Sequence, residues 1–225
     1  MNFLNTDNKF WQFILKIINL IWLNLLWLIC CIPIFTIGAA TSALYYAVQK
    51  NIKNDLGNST QQFFRGFRES FKQATILWLI LFALCMLFSY DLAFFENYGK
   101  DGHPIFYALH YVWYVTLLIE IIYYLYLFPY IARFSNTTKN IFMNASLLIV
   151  RHPVQLLKVL GFAAFAVFMI WFLPPLLFIA PAVAFWQISF VLEKLYERYM
   201  TPEDLALQRR RYGKGEDFED TDDKG

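Results

Sequence analysis

The sequence predicts an all-α protein, a polytopic bundle of about six transmembrane helices. Hydrophobic residues make up 59% of the chain and aromatic residues 20%, whereas only 16% of the residues are charged. Soluble domains are about 25% charged, so this composition excludes an ordinary soluble protein. Several apolar runs reach about 18–20 residues, which is long enough for a helix to cross the hydrocarbon core of a bilayer.

Apolar runs and the prolines between them set the predicted spans. These spans cover about 10–32, 34–49, 74–95, 105–128, 154–173 and 176–192. Pro129 is predicted to end the fourth span, and the pair Pro174-Pro175 separates the last two, because proline breaks the helical hydrogen-bond ladder. The second run, of about 16 residues, is short for a span. A re-entrant or surface helix is the alternative there, and five spans would then remain.

Residues 21–46, IWLNLLWLICCIPIFTIGAATSALYY, form the stretch around which the other spans are arranged. It carries no charge, breaks at Pro33 and continues through a run of small residues. Small residues at helical spacing let two helix backbones approach closely in a membrane. Gly38 and Ser42 are therefore predicted to be helix-packing positions. The alternative is that the broken hairpin lines a cavity.

Two shorter segments, 59–72 and 135–150, are predicted to be amphipathic helices at the membrane interface. The apolar face of the first consists of Phe63, Phe64, Phe67 and Phe71. Its cations, expected to contact lipid headgroups, are Arg65, Arg68 and Lys72. A plain cytoplasmic linker helix is the alternative. The apolar face of the second consists of Ile141, Phe142, Ala145, Leu148 and Ile149.

Basic residues orient the chain. They concentrate in the segments 50–72 and 131–153 and after the last span, whereas the segment 96–104 holds only Lys100. The positive-inside rule therefore places the first two segments and the C-terminus in the cytoplasm and 96–104 outside. Six spans place the N-terminus inside as well. Residues 1–198 are predicted to be one transmembrane domain and 199–225 a disordered cytoplasmic tail, since residues 201–225 hold eight acids against five bases.

Glu120 is the candidate intramembrane site. It lies in the middle of the run YVTLLIEIIYYLYLF, and a charged carboxylate at the bilayer centre costs roughly 2.5–3.5 kcal/mol. We therefore expect it to face the bundle, with Asn24, Tyr123 and Tyr124 as polar partners. It is either part of a polar pathway or coupling site, or a protonated structural residue hydrogen-bonded between helices. Glu193, near the end of a span, is expected to reach water.

The common catalytic motifs are absent from the sequence. It contains no G-x-x-x-x-G-K-[ST] loop, no G-x-S-x-G elbow and no H-E-x-x-H helix. Cys30, Cys31 and Cys85 lie in apolar runs without His or Cys at metal-ligand spacing. We therefore expect no enzyme, no catalytic residues, no cofactor or metal, and no nucleic-acid partner.

A family resemblance rests on two runs. The stretch IWLNLLWLICCIPIFTIGAATSALYY, followed by FFRGFRESFKQATILWLI, resembles the YesL-like family of bacterial integral membrane proteins. The resemblance extends from about Phe10 to about Arg198. Members of that family occur mainly in Gram-positive bacteria, often encoded beside carbohydrate ABC-transporter and polysaccharide-degradation genes. The family has no established catalytic or ligand-binding residues to carry over.

The resemblance implies a multi-pass protein of the bacterial cell membrane that is associated with carbohydrate uptake. It would act as a permease-like or accessory component of a sugar ABC transport system, with the bilayer and ABC transporter subunits as partners. A non-transporting membrane scaffold or regulatory protein is the alternative. The sequence leaves the oligomeric state open.

Overall fold

A computed structural model describes residues 9–53, 58–98, 104–134 and 137–199. Within these ranges the chain forms helices and no strand, so the predicted all-α bundle is confirmed. The predicted outer loop at 96–104 falls largely outside the described residues, as does nearly all of the predicted tail. Seven α-helices lie in the described part: α1 (Lys9–Cys30), α2 (Ile37–Ala47), α3 (Ser59–Tyr98), α4 (Pro104–Arg133), α5 (Thr138–Arg151), α6 (Pro153–Phe172) and α7 (Ala180–Glu197).

Three of the described helices are long and apolar enough to cross a membrane, through Ser59–Ser89 of α3, Tyr111–Arg133 of α4 and all of α6. A shorter apolar helix, Ile14–Cys30, lies within α1. These helices make the chain a membrane protein. Two predicted spans, now α2 and α7, do not meet the same criteria. The helix α2 is too short, with eleven residues, and α7 carries the charged residues Glu193, Lys194 and Glu197.

The centre of the bundle is α2. Nine of its eleven residues are buried, and α1, α3, α4 and α7 pack around it. A 3-10 turn (Ile34–Thr36) precedes it and a π-helical segment (Val48–Lys53) follows, so the helical rod is about 30 Å long at 1.5 Å per residue. Because protein covers it on several sides, its sequence need not be lipophilic. A helix on the protein surface is therefore wrong for this segment, and the re-entrant alternative stays a prediction.

The predicted boundary between the amphipathic segment 59–72 and the span 74–95 is wrong, because α3 is one continuous helix of 40 residues. The residues at the proposed boundary, Gln73 to Thr75, include neither glycine nor proline. A change in polarity decides which surface a helix faces, but it does not end the hydrogen-bond ladder. At 1.5 Å per residue α3 is about 60 Å long, twice the thickness of the hydrocarbon core.

The predicted end of the fourth span at Pro129 is also wrong. This proline lies inside α4, which continues to Arg133. Proline removes one backbone donor, and packing by neighbouring helices makes this tolerable inside membranes. Here α2 supplies the packing, since Ser42 Oγ donates a hydrogen bond of 2.9 Å to the Phe128 carbonyl.

The other predicted breaks coincide with helix ends. After α1 ends at Cys30, the Thr36 hydroxyl lies 2.6 Å from the carbonyl oxygens of both Cys30 and Pro33. It therefore supplies a hydrogen-bond donor at the C-terminal end of that helix. The pair Pro174-Pro175 opens a 3-10 turn (Pro174–Phe178) between α6 and α7.

In α5, the buried residues include Ile141, Ala145 and Leu148. Phe142 was predicted on the same face but is 46% exposed. Its ring instead stacks on Tyr123 of α4 at a centroid distance of 4.9 Å.

Candidate functional site

The small-residue run of α2 lies where three helices meet. A Cβ atom built on Gly38 would lie 2.6 Å from Phe128 Cε1 and from Trp78 Cβ, and 2.7 Å from the Ala74 carbonyl oxygen. The obstacles belong to α3 and α4 together, and one of them is backbone. Glycine is therefore required at position 38, because α3 and α4 approach α2 too closely there for a side chain. At the same contact, the Trp78 indole donates to the Ile34 carbonyl at 2.6 Å and fixes the tip of the α1–α2 hairpin on α3.

One turn further along α2, Thr41 connects three helices. Its hydroxyl lies 2.6 Å from the Tyr124 hydroxyl of α4 and accepts a 3.3 Å hydrogen bond from the Trp27 indole of α1. It also bonds back to the Ile37 carbonyl of its own helix at 2.8 Å. Thr41 is fully buried, so these bonds form away from water.

The most unusual feature of the core is a buried ion pair between α4 and α7. Arg133 Nε lies 3.3 Å from Glu193 Oε2, and the two side chains are only 12% and 2% exposed. Tyr45 of α2 donates a 3.2 Å hydrogen bond to the other carboxylate oxygen. The expectation that Glu193 reaches water is wrong. The pair joins α2, α4 and α7 at the end of the bundle where α4 and α7 terminate.

Aromatic side chains enclose this pair. Tyr196, itself 1% exposed, lies beside the Glu193 carboxylate and packs edge-on against Tyr130 at 5.9 Å. Phe134 meets the same Tyr196 ring at 5.4 Å. In such a low-dielectric setting an ion pair is tolerated only with both partners present, and removing one leaves an uncompensated charge. The cluster of Arg133, Glu193, Tyr45 and Tyr196 therefore joins α2, α4 and α7, and we call it the structural lock.

A signal for this lock was available in the sequence. Ser189, Glu193 and Tyr196 are spaced at i, i+4 and i+7, which places the carboxylate on the same helical face as buried residues of α7. A charged residue on a buried face needs a partner. Proximity to the helix end suggested solvent instead, and no pattern in one sequence identifies Arg133 of another helix as that partner.

The residues of the predicted site around Glu120 bond to several different elements. Glu120 is half-buried and neighbours the Cys85 thiol of α3. Asn24 is fully buried and donates at 2.7 Å to the Leu177 carbonyl, in the turn between α6 and α7. Tyr123 lies 2.9 Å from Ser146 Oγ of α5, and Tyr124 bonds to Thr41. Each proposed partner of Glu120 thus contacts a different element.

The three predicted headgroup contacts lie on the first four turns of α3. Arg65 forms an ion pair of 2.9 Å with Glu69, and both side chains are more than half exposed. Arg68 and Lys72 are exposed as well. Pairing with Glu69 reduces the net charge of this surface without removing it.

The described residues contain no group of three or more His, Cys, Asp or Glu side chains placed to hold a metal ion. The three cysteines are free thiols.

Comparison with known proteins adds one match. Residues 20–92 match the model of a family described as "Protein of unknown function, DUF624". The matched region begins in α1, contains all of α2 and extends through most of α3, so it holds Gly38, Thr41 and Tyr45 but neither Arg133 nor Glu193. No curated protein and no solved structure matches the chain.

Proposed function

We propose that this protein is an accessory membrane component of a bacterial carbohydrate-uptake system and a member of the YesL-like family. It lies in the cell membrane with its C-terminal tail in the cytoplasm and works beside the subunits of a sugar ABC transporter. The resemblance of the α1–α2 region supports the family, and the match over residues 20–92 is consistent with it. The division of basic residues supports the orientation.

One observation favours an accessory role over a permease-like one. Three buried polar side chains of the core bond to other elements: Asn24 to the α6–α7 turn, Thr41 to α1 and α4, and Tyr45 to α7. Polar residues that line a solute pathway face a common space and keep hydrogen-bonding capacity for the solute. The bonds of these three side chains are instead typical of interhelical connections.

Isolation from native membranes tests the proposal. A tagged protein, expressed at native level in cells grown on a polysaccharide, is captured in mild detergent and its partners are identified by mass spectrometry. We expect ABC transporter subunits to co-purify, and we expect deletion of the gene to reduce uptake of the corresponding oligosaccharide. A tagged multi-pass protein of unrelated function serves as the control.

Reconstitution distinguishes the accessory role from the permease-like one. Purified protein in liposomes should not move labelled oligosaccharide, with or without ATP and the captured ATPase, unless the separate permease subunits are added. Transport without those subunits would establish the permease-like role. If no transporter subunit co-purifies and the deletion leaves uptake unchanged, the scaffold or regulatory alternative replaces the proposal.

A further inference from the structure

The first turns of α3 carry an open groove that the core does not use. Its volume is about 440 Å³, and its lining residues are Phe64, Phe67, Arg68 and Phe71. Phe64 is 49% exposed and Phe71 38%. Phe63 is fully buried, and its ring contacts those of Phe64 and Phe67. The apolar face of this end of α3 is therefore packed against the core at one edge and exposed at the other.

The geometry points to an anionic phospholipid as the occupant of this groove, and we propose that Arg68 and Lys72 bind its phosphate while the acyl chains lie along the phenylalanine side chains. The groove combines an apolar floor with cations at its edge, and an anionic lipid combines acyl chains with a negative headgroup. This complementarity is the first argument for the proposal.

The continuity of the groove with the membrane-facing side of α3 is the second argument. Leu79 and Met86 follow Phe71 at intervals of eight and seven residues, which keeps them within about 80° of it around the helix axis. They are 45% and 55% exposed. An acyl chain lying on Phe71 can therefore continue along α3 into the bilayer, whereas a soluble protein would meet lipid-facing residues at this edge.

The neighbouring middle part of α1 supplies the third argument. The Trp22 indole donates a 2.8 Å hydrogen bond to Thr60 Oγ1, one turn before Phe64. Trp22 is 45% exposed, beside the exposed apolar residues Ile18 and Ile21. Trp22, Ile18 and Ile21 therefore extend the exposed apolar surface beside the groove on which acyl chains would lie.

Lipid binding to the purified protein provides the direct test. The full chain in a neutral maltoside detergent is titrated with phosphatidylglycerol or phosphatidylcholine, and bound lipid is counted by native mass spectrometry. We expect tighter binding of phosphatidylglycerol. Removing one cation near a phosphate should weaken that binding about fivefold, so Arg68→Gln and Lys72→Gln should each show this loss.

Three further measurements keep the test specific. Arg151→Gln removes an exposed cation at the end of α5 and should leave phosphatidylglycerol binding unchanged. Arg68→Lys should keep most of the binding because it retains the charge, and Phe71→Ala should weaken the binding of both lipids. Melting curves of each variant without added lipid establish that the fold is intact.

The proposal is overturned if the two lipids bind equally, or if Arg151→Gln weakens binding as much as Arg68→Gln. It also fails if inorganic phosphate raises the melting temperature as much as phosphatidylglycerol does, because the site would then recognise phosphate alone. A photo-crosslinker at Phe64 in native membranes should label lipid. Labelling of a protein there would identify a protein-docking surface instead.

Discussion

The core helix α2 and the outer half of α3 show opposite relations between hydrophobicity and burial. Nine of the eleven residues of α2 are buried, and they include Thr41, Ser42 and Tyr45. Residues 79–89 of α3 are almost wholly apolar, yet none of them is buried. Lipid covers an apolar surface at no cost, so the most apolar segments can face outward. The protein interior selects instead for small side chains and matched polar groups.

The largest effect expected in the core concerns the ion pair next to α2. Glu193→Ala removes the acceptor of Tyr45 and leaves the Arg133 charge buried, so we expect a loss of about 3–5 kcal/mol in the free energy of unfolding. Thermal unfolding in detergent measures it. Tyr45→Phe removes only one hydrogen bond and should cost less. Equal melting temperatures for Glu193→Ala and the parent would show that Arg133 reaches water.

Overfilling the three-helix contact should have the next largest effect. Gly38→Leu forces side-chain atoms into space held by α3 and α4, and we expect a loss of about 1–3 kcal/mol in the free energy of unfolding. The matched control is Gly161→Leu on α6, where no atom lies within 4 Å of an added Cβ. We expect that control to melt like the parent. A similar loss at both positions would mean that leucine disturbs something other than the close approach.

A smaller effect is expected from one interhelical hydrogen bond. Ser42→Ala removes the bond to the Phe128 carbonyl beside Pro129, which should lower the free energy of unfolding by about 1 kcal/mol. Ser89 of α3 bonds within its own helix, to the Cys85 carbonyl at 2.7 Å. Ser89→Ala should therefore leave stability nearly unchanged. If the two variants melt alike, the α2–α4 bond contributes nothing that the local bond does not.

The smallest effect is expected at Glu120. Because this residue is half-buried and separate from the core network, Glu120→Gln should preserve both the melting temperature and growth on the relevant polysaccharide. Glu120→Leu should lower stability modestly if the Cys85 contact matters. The measurement pairs melting curves with an uptake assay. A Gln variant that folds normally but fails in uptake would restore Glu120 as a coupling site.

The sequence predicted the class of the protein and several helix bounds because apolar run length and proline position act locally. Thus α1 and α6 begin and end within two residues of their predicted limits. The continuous α3 was missed because a change in polarity resembles a boundary although it breaks no hydrogen bond. The fourth span was wrongly predicted to end at Pro129. Whether the helix continues past this proline depends on packing by α2, a distant segment of the chain.

The candidate site was harder to predict for the same reason. Glu120 drew attention through its depth in an apolar run, which one sequence displays. The charge that is buried, Glu193, depends on Arg133 and Tyr45, which lie on two other helices. Glycine at position 38 could be anticipated from the small-residue pattern, but the identities of Trp78 and Phe128 as its neighbours could not.

The unbroken length of α3 has a mechanical consequence. A helix of about 60 Å without a glycine or proline hinge at its middle moves as a rigid rod. If its basic end were displaced by a partner or by the membrane surface, a tilt of about 10° would shift the opposite end by about 10 Å relative to it, by the same helix geometry. The contact of Trp78 with the α1–α2 hairpin lies midway along this helix.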